Sequence, residues 1–378
     1  MSKETEMLEE AKELYLKCRL DDAFLLFKKS ASKGNPEAMY FLGEYISQGY
    51  GHVARDIKKG YEWRKKGAAG GNILCELNLA YLPELSEKKR QAICQKLFPK
   101  IVKMSEAGDI FAQNELADMY LYGFGTEADL DVGIYWLRKA TERGFWRPMN
   151  KLGEVYWDRS TSYFDLKKAR EYLKKAADMG YSTAEMNLAV MYCFEKPRRM
   201  DLCIQYAKRS YAHGGEAASE AAAFLDEIYS FSGFVPKNPI EGLAWVKRSV
   251  DMGSGRGMRN MGTHYRDGLG VSQNHEKAME WYKKSADTGY VNGMVAYGIA
   301  LRRSGECEKS AKYFEKAAQL EDSIGMVWYA SCFLYGYGTV KNTEIAEFWL
   351  KRAADYGNRD AKILLKGELG IKYPEKGD

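Results

Sequence analysis

The chain has 378 residues, 46% of them hydrophobic, with 57 basic against 52 acidic residues and a formal charge of +5. That is apolar content for a large core, and a charge too mild to call for nucleic acid. Charged residues interrupt every apolar run short of the ~18–20 residues that span a membrane, and the start, MSKETEMLEEAKELY, reads as neither a secretory signal nor a basic transit peptide.

One frame recurs in chain order. Ala23, Leu26, Ser30, Ala31 and Gly34 stand at offsets 0, 3, 7, 8 and 11, one face of a helix closed by glycine. It returns at Gly60, Trp63, Gly67, Ala68 and Gly71, then from Gly133 to Gly144 around Trp136, and from Ala169 to Gly180 around Tyr172. Later copies run from Gly242 to Gly253 around Trp245, from Ala278 to Gly289 around Trp281, and from Ala346 to Gly357 around Trp349. The closing glycines Gly34, Gly71, Gly108, Gly144, Gly180, Gly214, Gly253 and Gly289 are 37, 37, 36, 36, 34, 39 and 36 residues apart. The aromatic residues of this frame are expected in the core, whereas Trp146 and Trp157 stand outside it and are expected to be exposed.

Between successive frames lies a second helical pattern, as in Leu116-Ala117-Asp118-Met119-Tyr120 and Met261-Gly262-Thr263-His264-Tyr265. Glycine-pair turns follow it at Gly49/Gly51, Gly123/Gly125, Gly268/Gly270 and Gly336/Gly338. Each unit thus reads as helix A, turn, helix B, closing glycine, with Pro36, Pro148 and Pro239 near helix starts. The whole chain is expected to be a single all-α array of nine to ten helix-turn-helix repeats of ~36 residues. Their bounds are about 6–34, 35–71, 72–108, 109–144, 145–180, 181–214, 215–253, 254–289, 290–322 and 323–357. A C-terminal cap over 358–372 closes the array, with Lys362 to Lys366 apolar inside and polar outside, and YPEKGD reads as a frayed tail. The units 72–108, 145–180, 181–214 and 290–322 lose the glycine-pair turn, the last also loses its closing glycine, and Pro99 should kink or restart the helix it interrupts.

The seven cysteines are odd in number, irregular in spacing and lack a CxxC pair, so buried free thiols and a reducing, cytoplasmic setting are expected. The four histidines are too scattered for a metal site. No cofactor is called for, because the glycine pairs join two helices and recur at repeat spacing, with no strand before them.

The unit from Gly257 to Gly289 carries the pattern A-x-x-x-L-G-x-x-Y-x-x-G-x-G-V-x-x-x-x-x-K-A-x-x-W-Y-x-K-A-A-x-x-G nearly position for position, with Met261 and Ser285 as substitutes. This pattern resembles the Sel-one-like repeat family, relatives of the tetratricopeptide repeat, and the likeness extends over nearly all of the chain. It implies a right-handed α–α superhelix serving as a non-catalytic adaptor or scaffold, with the A helices lining a concave groove. On that implication the groove carries Arg256, Arg259, Arg266, Arg302 and Arg303 toward the C-terminus. Toward the N-terminus it carries Tyr40, Glu44, Asn114, Asp118, Asn150, Glu154 and Trp157. The arginines can clamp carboxylates, guanidinium being bidentate, so the expected partner is a protein or peptide of acidic character, and self-association is conceivable. An RNA-binding helical repeat, or a regulatory subunit of an envelope, virulence or quality-control complex, is the alternative; nucleic acid is disfavoured by the mild charge.

Overall fold

The computed structural model describes residues 3–82 and 84–373, and their regular structure is entirely α-helical. Residues 374–378, most of the expected tail, lie outside the described residues. The chain divides into two compact units, the first ending at Ala218 and the second beginning at Ser219. The first holds α1 (Lys3–Leu16), α2 (Leu20–Ser32), α3 (Pro36–Gln48), α4 (Ile57–Ala69), α5 (Ile73–Ala80), α6 (Glu87–Glu106), α7 (Ile110–Tyr122), α8 (Leu130–Thr141), α9 (Trp146–Trp157), α10 (Leu166–Asp178), α11 (Ser182–Phe194) and α12 (Met200–Ala212). The second holds most of α13 (Glu216–Ser230), then α14 (Pro239–Asp251), α15 (Gly255–Asp267), α16 (His275–Asp287), α17 (Val291–Arg303), α18 (Cys307–Gln319), α19 (Ser323–Tyr335), α20 (Thr343–Asp355) and α21 (Arg359–Leu369). Odd-numbered helices are the A helices of the repeat and even-numbered ones the B helices.

Side-chain caps fix where these helices begin. Asn35, Asn72, Asp109, Ser254, Asp322 and Asn358 accept backbone N–H bonds at the starts of A helices. Asp56, Asp129, Asp165, Asn238, Asn274 and Asn342 do the same for B helices. Several of these B-helix caps have a second task. The N–H groups of Asp129, Asp165, Asn274 and Asn342 donate to the carbonyls of Tyr120, Tyr156, Tyr265 and Phe333, tying the turn back onto helix A.

The glycine-pair turn has a physical division of labour. Its first glycine, such as Gly336, is left-handed at φ 76° and ends helix A with its N–H on the Cys332 carbonyl. Its second, Gly338, sits where a Cβ would lie 2.1 Å from the Cys307 carbonyl oxygen, so only glycine lets the turn press on the preceding B helix. The closing glycines have positive φ and, at seven of the repeat ends, open space around them. In 290–322 the missing glycine is replaced by Glu321, which adopts φ 62° itself.

Two expectations about helices change. Helix α6 runs on through Pro99 rather than restarting there, and the carbonyl that Pro99 leaves without a donor belongs to exposed Gln95. In α21, Ala361 and Leu365 are buried but Ile363 is two-thirds exposed, so the cap has a narrower apolar face than its sequence implied.

The B-helix core also differs from the expected stripe. Offsets 0, 4 and 7 are buried, as in Ala278, Tyr282 and Ser285 or Ala346, Leu350 and Ala353. The aromatic at offset 3 is buried only at Trp245; Trp63, Trp136, Tyr172, Trp281 and Trp349 are half-buried. Their outer faces carry the cation three residues on. Lys66 lies 4.6 Å from Trp63, Arg248 4.3 Å from Trp245, Lys284 4.2 Å from Trp281 and Lys175 5.3 Å from Tyr172. Five of the seven thiols are buried and none is disulfide-bonded; burial pushes Cys75 up to about 12.

Candidate partner-binding surface

In the first unit the A helices face one another closely. The Tyr15 ring, from α1, lies 5.4 Å from Phe41 of α3, 6.0 Å from Phe111 of α7 and 5.1 Å from Trp146 of α9, centroid to centroid. Trp146 is fully buried, not exposed as its place outside the frame implied, and its Nε1 donates to the Tyr15 carbonyl at 2.8 Å. Large side chains on the inner faces have met across the interior and excluded water there.

The acidic and aromatic residues expected on a groove fall into this interior. Tyr40, Glu44, Asn114 and Asn150 are buried. Tyr40 donates to Glu115 at 3.3 Å. Glu44 accepts from Arg147 at 3.0 Å, Arg64 at 3.1 Å and the Tyr50 hydroxyl at 3.4 Å. Burial pushes the Glu44 carboxyl up, but Arg147, Arg64 and Lys151 together outweigh it and hold it below its ordinary value. The neighbouring Glu115 goes the other way, raised by burial and then by the charge of Asp118. Asp118 is ion-paired with Lys151. The Asn150 amide donates to exposed Glu154 at 2.9 Å, and the Asn187 amide donates to the Asn150 oxygen at 3.0 Å. Of this set Glu154 is exposed, Trp157 half-buried, Asn114 buried with its amide oxygen unpartnered, and the others are hydrogen-bonded or ion-paired within the unit.

In the second unit the arginines divide into two kinds. Arg256 is engaged by its own chain: Nε and Nη2 donate to Glu227 at 3.0 and 2.6 Å, and Nη1 to Glu220 at 3.1 Å. Arg266 is held in the same bidentate way by Asp267, at 2.7 and 2.6 Å. Arg259 donates to the neutral amide of Asn260 at 2.8 Å. Arg302 lies over the Trp328 ring at 4.6 Å and the Tyr337 ring at 5.5 Å. Arg303 is exposed at the end of α17. Among the described residues these last three cations form no ion pair, so they retain capacity for an added carboxylate.

Two features escaped the sequence. Trp328 lies outside the recurrent frame, so nothing in the spacing tied it to Arg302. The cation three residues after each B-helix aromatic is a regular pattern that would have shown how much of the positive charge is already in use.

Behind this surface His264 is fully buried, with Nε2 at 2.7 Å from Asp226 and Nδ1 at 2.6 Å from the Leu269 carbonyl. Both ring nitrogens face acceptors, which favours the doubly protonated ring. Burial lowers its pKa, but the Asp226 bond and charge and the Leu269 carbonyl outweigh burial and raise it. No helix of the described residues is long and apolar enough to cross a membrane.

The Sel1 repeat matches this chain at residues 20–35, 36–72, 110–145, 149–181, 216–254, 255–290, 294–322 and 323–358, more than half of its length. Chitin synthase regulatory factor 3 of Schizosaccharomyces pombe is 26% identical over 269 residues, 68% of this chain and 28% of the yeast protein. An uncharacterised protein of Neisseria meningitidis is 25% identical over 287 residues, 68% of this chain and 59% of that one. The chain therefore spans less than two thirds of either curated relative. Among solved structures, a protective antigen of uropathogenic Escherichia coli displaying an SLR fold is similar at TM-score 0.50 and 25% identity, over 93% of this chain and 76% of that one. A Sel1 repeat protein from Oxalobacter formigenes aligns at TM-score 0.53 and 20% identity, over 93% of each chain.

Proposed function

The chain belongs to the Sel1-repeat family, and from that premise we propose that it is a non-catalytic adaptor whose second unit holds a protein partner through the A-helix arginines. Sel1 repeats mediate protein–protein interaction, and a regulatory task is supported by the yeast relative, whose name describes a regulatory factor. The observation that carries the proposal is the difference between the two sets of A helices. In the A helices of the first unit Glu44 and Asp118 are ion-paired with Arg147, Arg64 and Lys151, whereas Arg259 and Arg302 of the second form no ion pair with a carboxylate among the described residues, and exposed Arg303 feels only the charge of Asp267. Arginine and the aromatic residues, which meet here at Arg302, Trp328 and Tyr337, are among the residue types that dominate binding energy at protein interfaces.

Affinity capture with the full chain, followed by mass spectrometry, tests the reading. Replacement of Arg259, Arg302 and Arg303 by glutamate should remove the retained partner. Replacement of Glu154, exposed on the first unit, should leave it in place. An unchanged set of captured proteins in the triple variant overturns the assignment of the surface.

A further inference from the structure

The surroundings of Arg302 identify the partner's chemistry more closely. Five side chains are linked by pairwise contacts, from buried Phe314 to exposed Tyr335. Phe314 of α18, fully buried, stacks on Trp328 of α19 with centroids 5.4 Å apart and planes 16° from parallel. The Arg302 guanidinium carbon lies 4.6 Å from the Trp328 ring centre and 5.5 Å from that of Tyr337. Tyr337 in turn meets Tyr335 at 5.7 Å, and both tyrosines are more than a third exposed. A guanidinium lying over aromatic rings leaves its N–H edges available to a carboxylate, which binds them bidentately in their own plane. Its rotamers are already restricted, so a ligand pays little ordering entropy.

The carboxylates of the second unit bear on the class of anion. Glu220 and Glu227 on α13, Asp267 at the end of α15 and Glu368 beside Tyr335 punctuate the same unit. A continuous polyanion such as RNA would meet these carboxylates repeatedly. A short segment with isolated carboxylates needs only the isolated cations. We infer that Arg302, set against the rings of Trp328 and Tyr337, is the anchor of a site for an acidic peptide segment of a partner protein, recognising an aspartate or glutamate side chain. This rests on the adaptor reading above and names its partner class.

The test selects peptides from a phage-displayed random dodecapeptide library on the full chain and measures the best of them by fluorescence anisotropy. Enrichment of aspartate and glutamate is expected, with loss of binding when those residues become asparagine and glutamine. Arg302→Gln should weaken the selected peptide by about tenfold or more. Arg302→Lys, which keeps the charge without the planar fork, should also weaken it. Tyr337→Leu, a half-exposed turn position away from the core, should weaken it several-fold and serves if Arg302→Gln misfolds. Selection without acidic enrichment, equal affinity in all three variants, or displacement of the peptide by a tighter-binding single-stranded oligonucleotide overturns the inference. Protein capture that persists unchanged in Arg302→Gln leaves the adaptor reading standing and removes this one; loss of both peptide and protein binding in the wild type removes both.

Discussion

Replacing Glu44 by glutamine deletes one charge from the interior of the first unit while keeping the side chain's shape. Glu44 is 2% exposed, and both its oxygens serve arginines, Oε1 at 3.0 Å from Arg147 and Oε2 at 3.1 Å from Arg64. A neutral amide leaves two guanidinium groups facing each other with little water to screen them. Breaking a buried ion set by removing one partner costs about 3–5 kcal/mol, whereas an exposed pair would cost roughly 1 kcal/mol or less. The larger figure applies because Arg64 is itself 6% exposed. Urea unfolding followed by hydrogen exchange at amides of α3 and α9 measures the loss locally, since a repeat array need not unfold as one body. The acid limb gives a second readout. A carboxyl depressed by folding stabilises above its unfolded pKa, and this contribution is lost as pH falls through the folded value. The wild type should therefore weaken on acidification below roughly pH 4.5, and the glutamine variant should follow pH less steeply. Glu44→Leu combined with Arg64→Met and Arg147→Met should recover most of the stability, because buried ion sets exchange for apolar residues at little cost. A loss below about 1 kcal/mol for Glu44→Gln would refute the buried-network reasoning.

Three further outcomes are expected. The raised pKa of His264 makes its contribution full below the ordinary histidine value and lost as pH rises through the folded one; the urea midpoint of α13 and α15 should fall from about pH 6 to pH 9, and His264→Asn should flatten that slope. Gly336→Ala should cost about 1–2 kcal/mol from its left-handed backbone, and Gly338→Ala a further ~1–3 kcal/mol because its Cβ meets the Cys307 carbonyl; thermal melts giving equal losses would contradict the two roles. Glu321→Gly should stabilise the second unit by up to about 1 kcal/mol, relieving a left-handed glutamate at the expense of one exposed pair with Arg352; a lowered melting temperature would count against strain at that position.

The all-α repeat and its approximate count were readable because each depends on local chemistry. A closing glycine adopts positive φ wherever it stands, and a 3.6-residue period marks a buried face regardless of what covers it. The same locality explains the misses. An apolar face at Phe41, Phe111 and Trp146 has the same period whether it lines a groove or meets another A helix, so the closure around Tyr15 had no sequence signature. Offsets 3 and 4 on a helix both flank the stripe, and tryptophan's size drew the core to offset 3 when leucine, valine or tyrosine at offset 4 fills it. For the candidate site, Arg302 and Arg303 were legible as cations on helix A. That Arg256 and Arg266 are already neutralised depends on Glu227, Glu220 and Asp267 in three dimensions.

Where the positive charge goes decides how the small net charge should be understood. Basic residues of the B helices, such as Lys66, Lys175, Arg248 and Lys284, lie over the aromatic ring three residues before them. That arrangement shields apolar surface along the repeat and uses cations for solubility and packing rather than recognition. Arg147 and Arg64 are consumed by Glu44, and Arg256 by Glu220 and Glu227. A charge excess of +5 spread over 378 residues says little by itself. Unlike those B-helix cations, Arg302 lies at the end of an A helix, near the rings of Trp328 and Tyr337 from the next repeat, and forms no ion pair among the described residues. Recognition then depends on a few residues that the fold has left unsatisfied, and a partner with one or two well-placed acids gains more there than one with many.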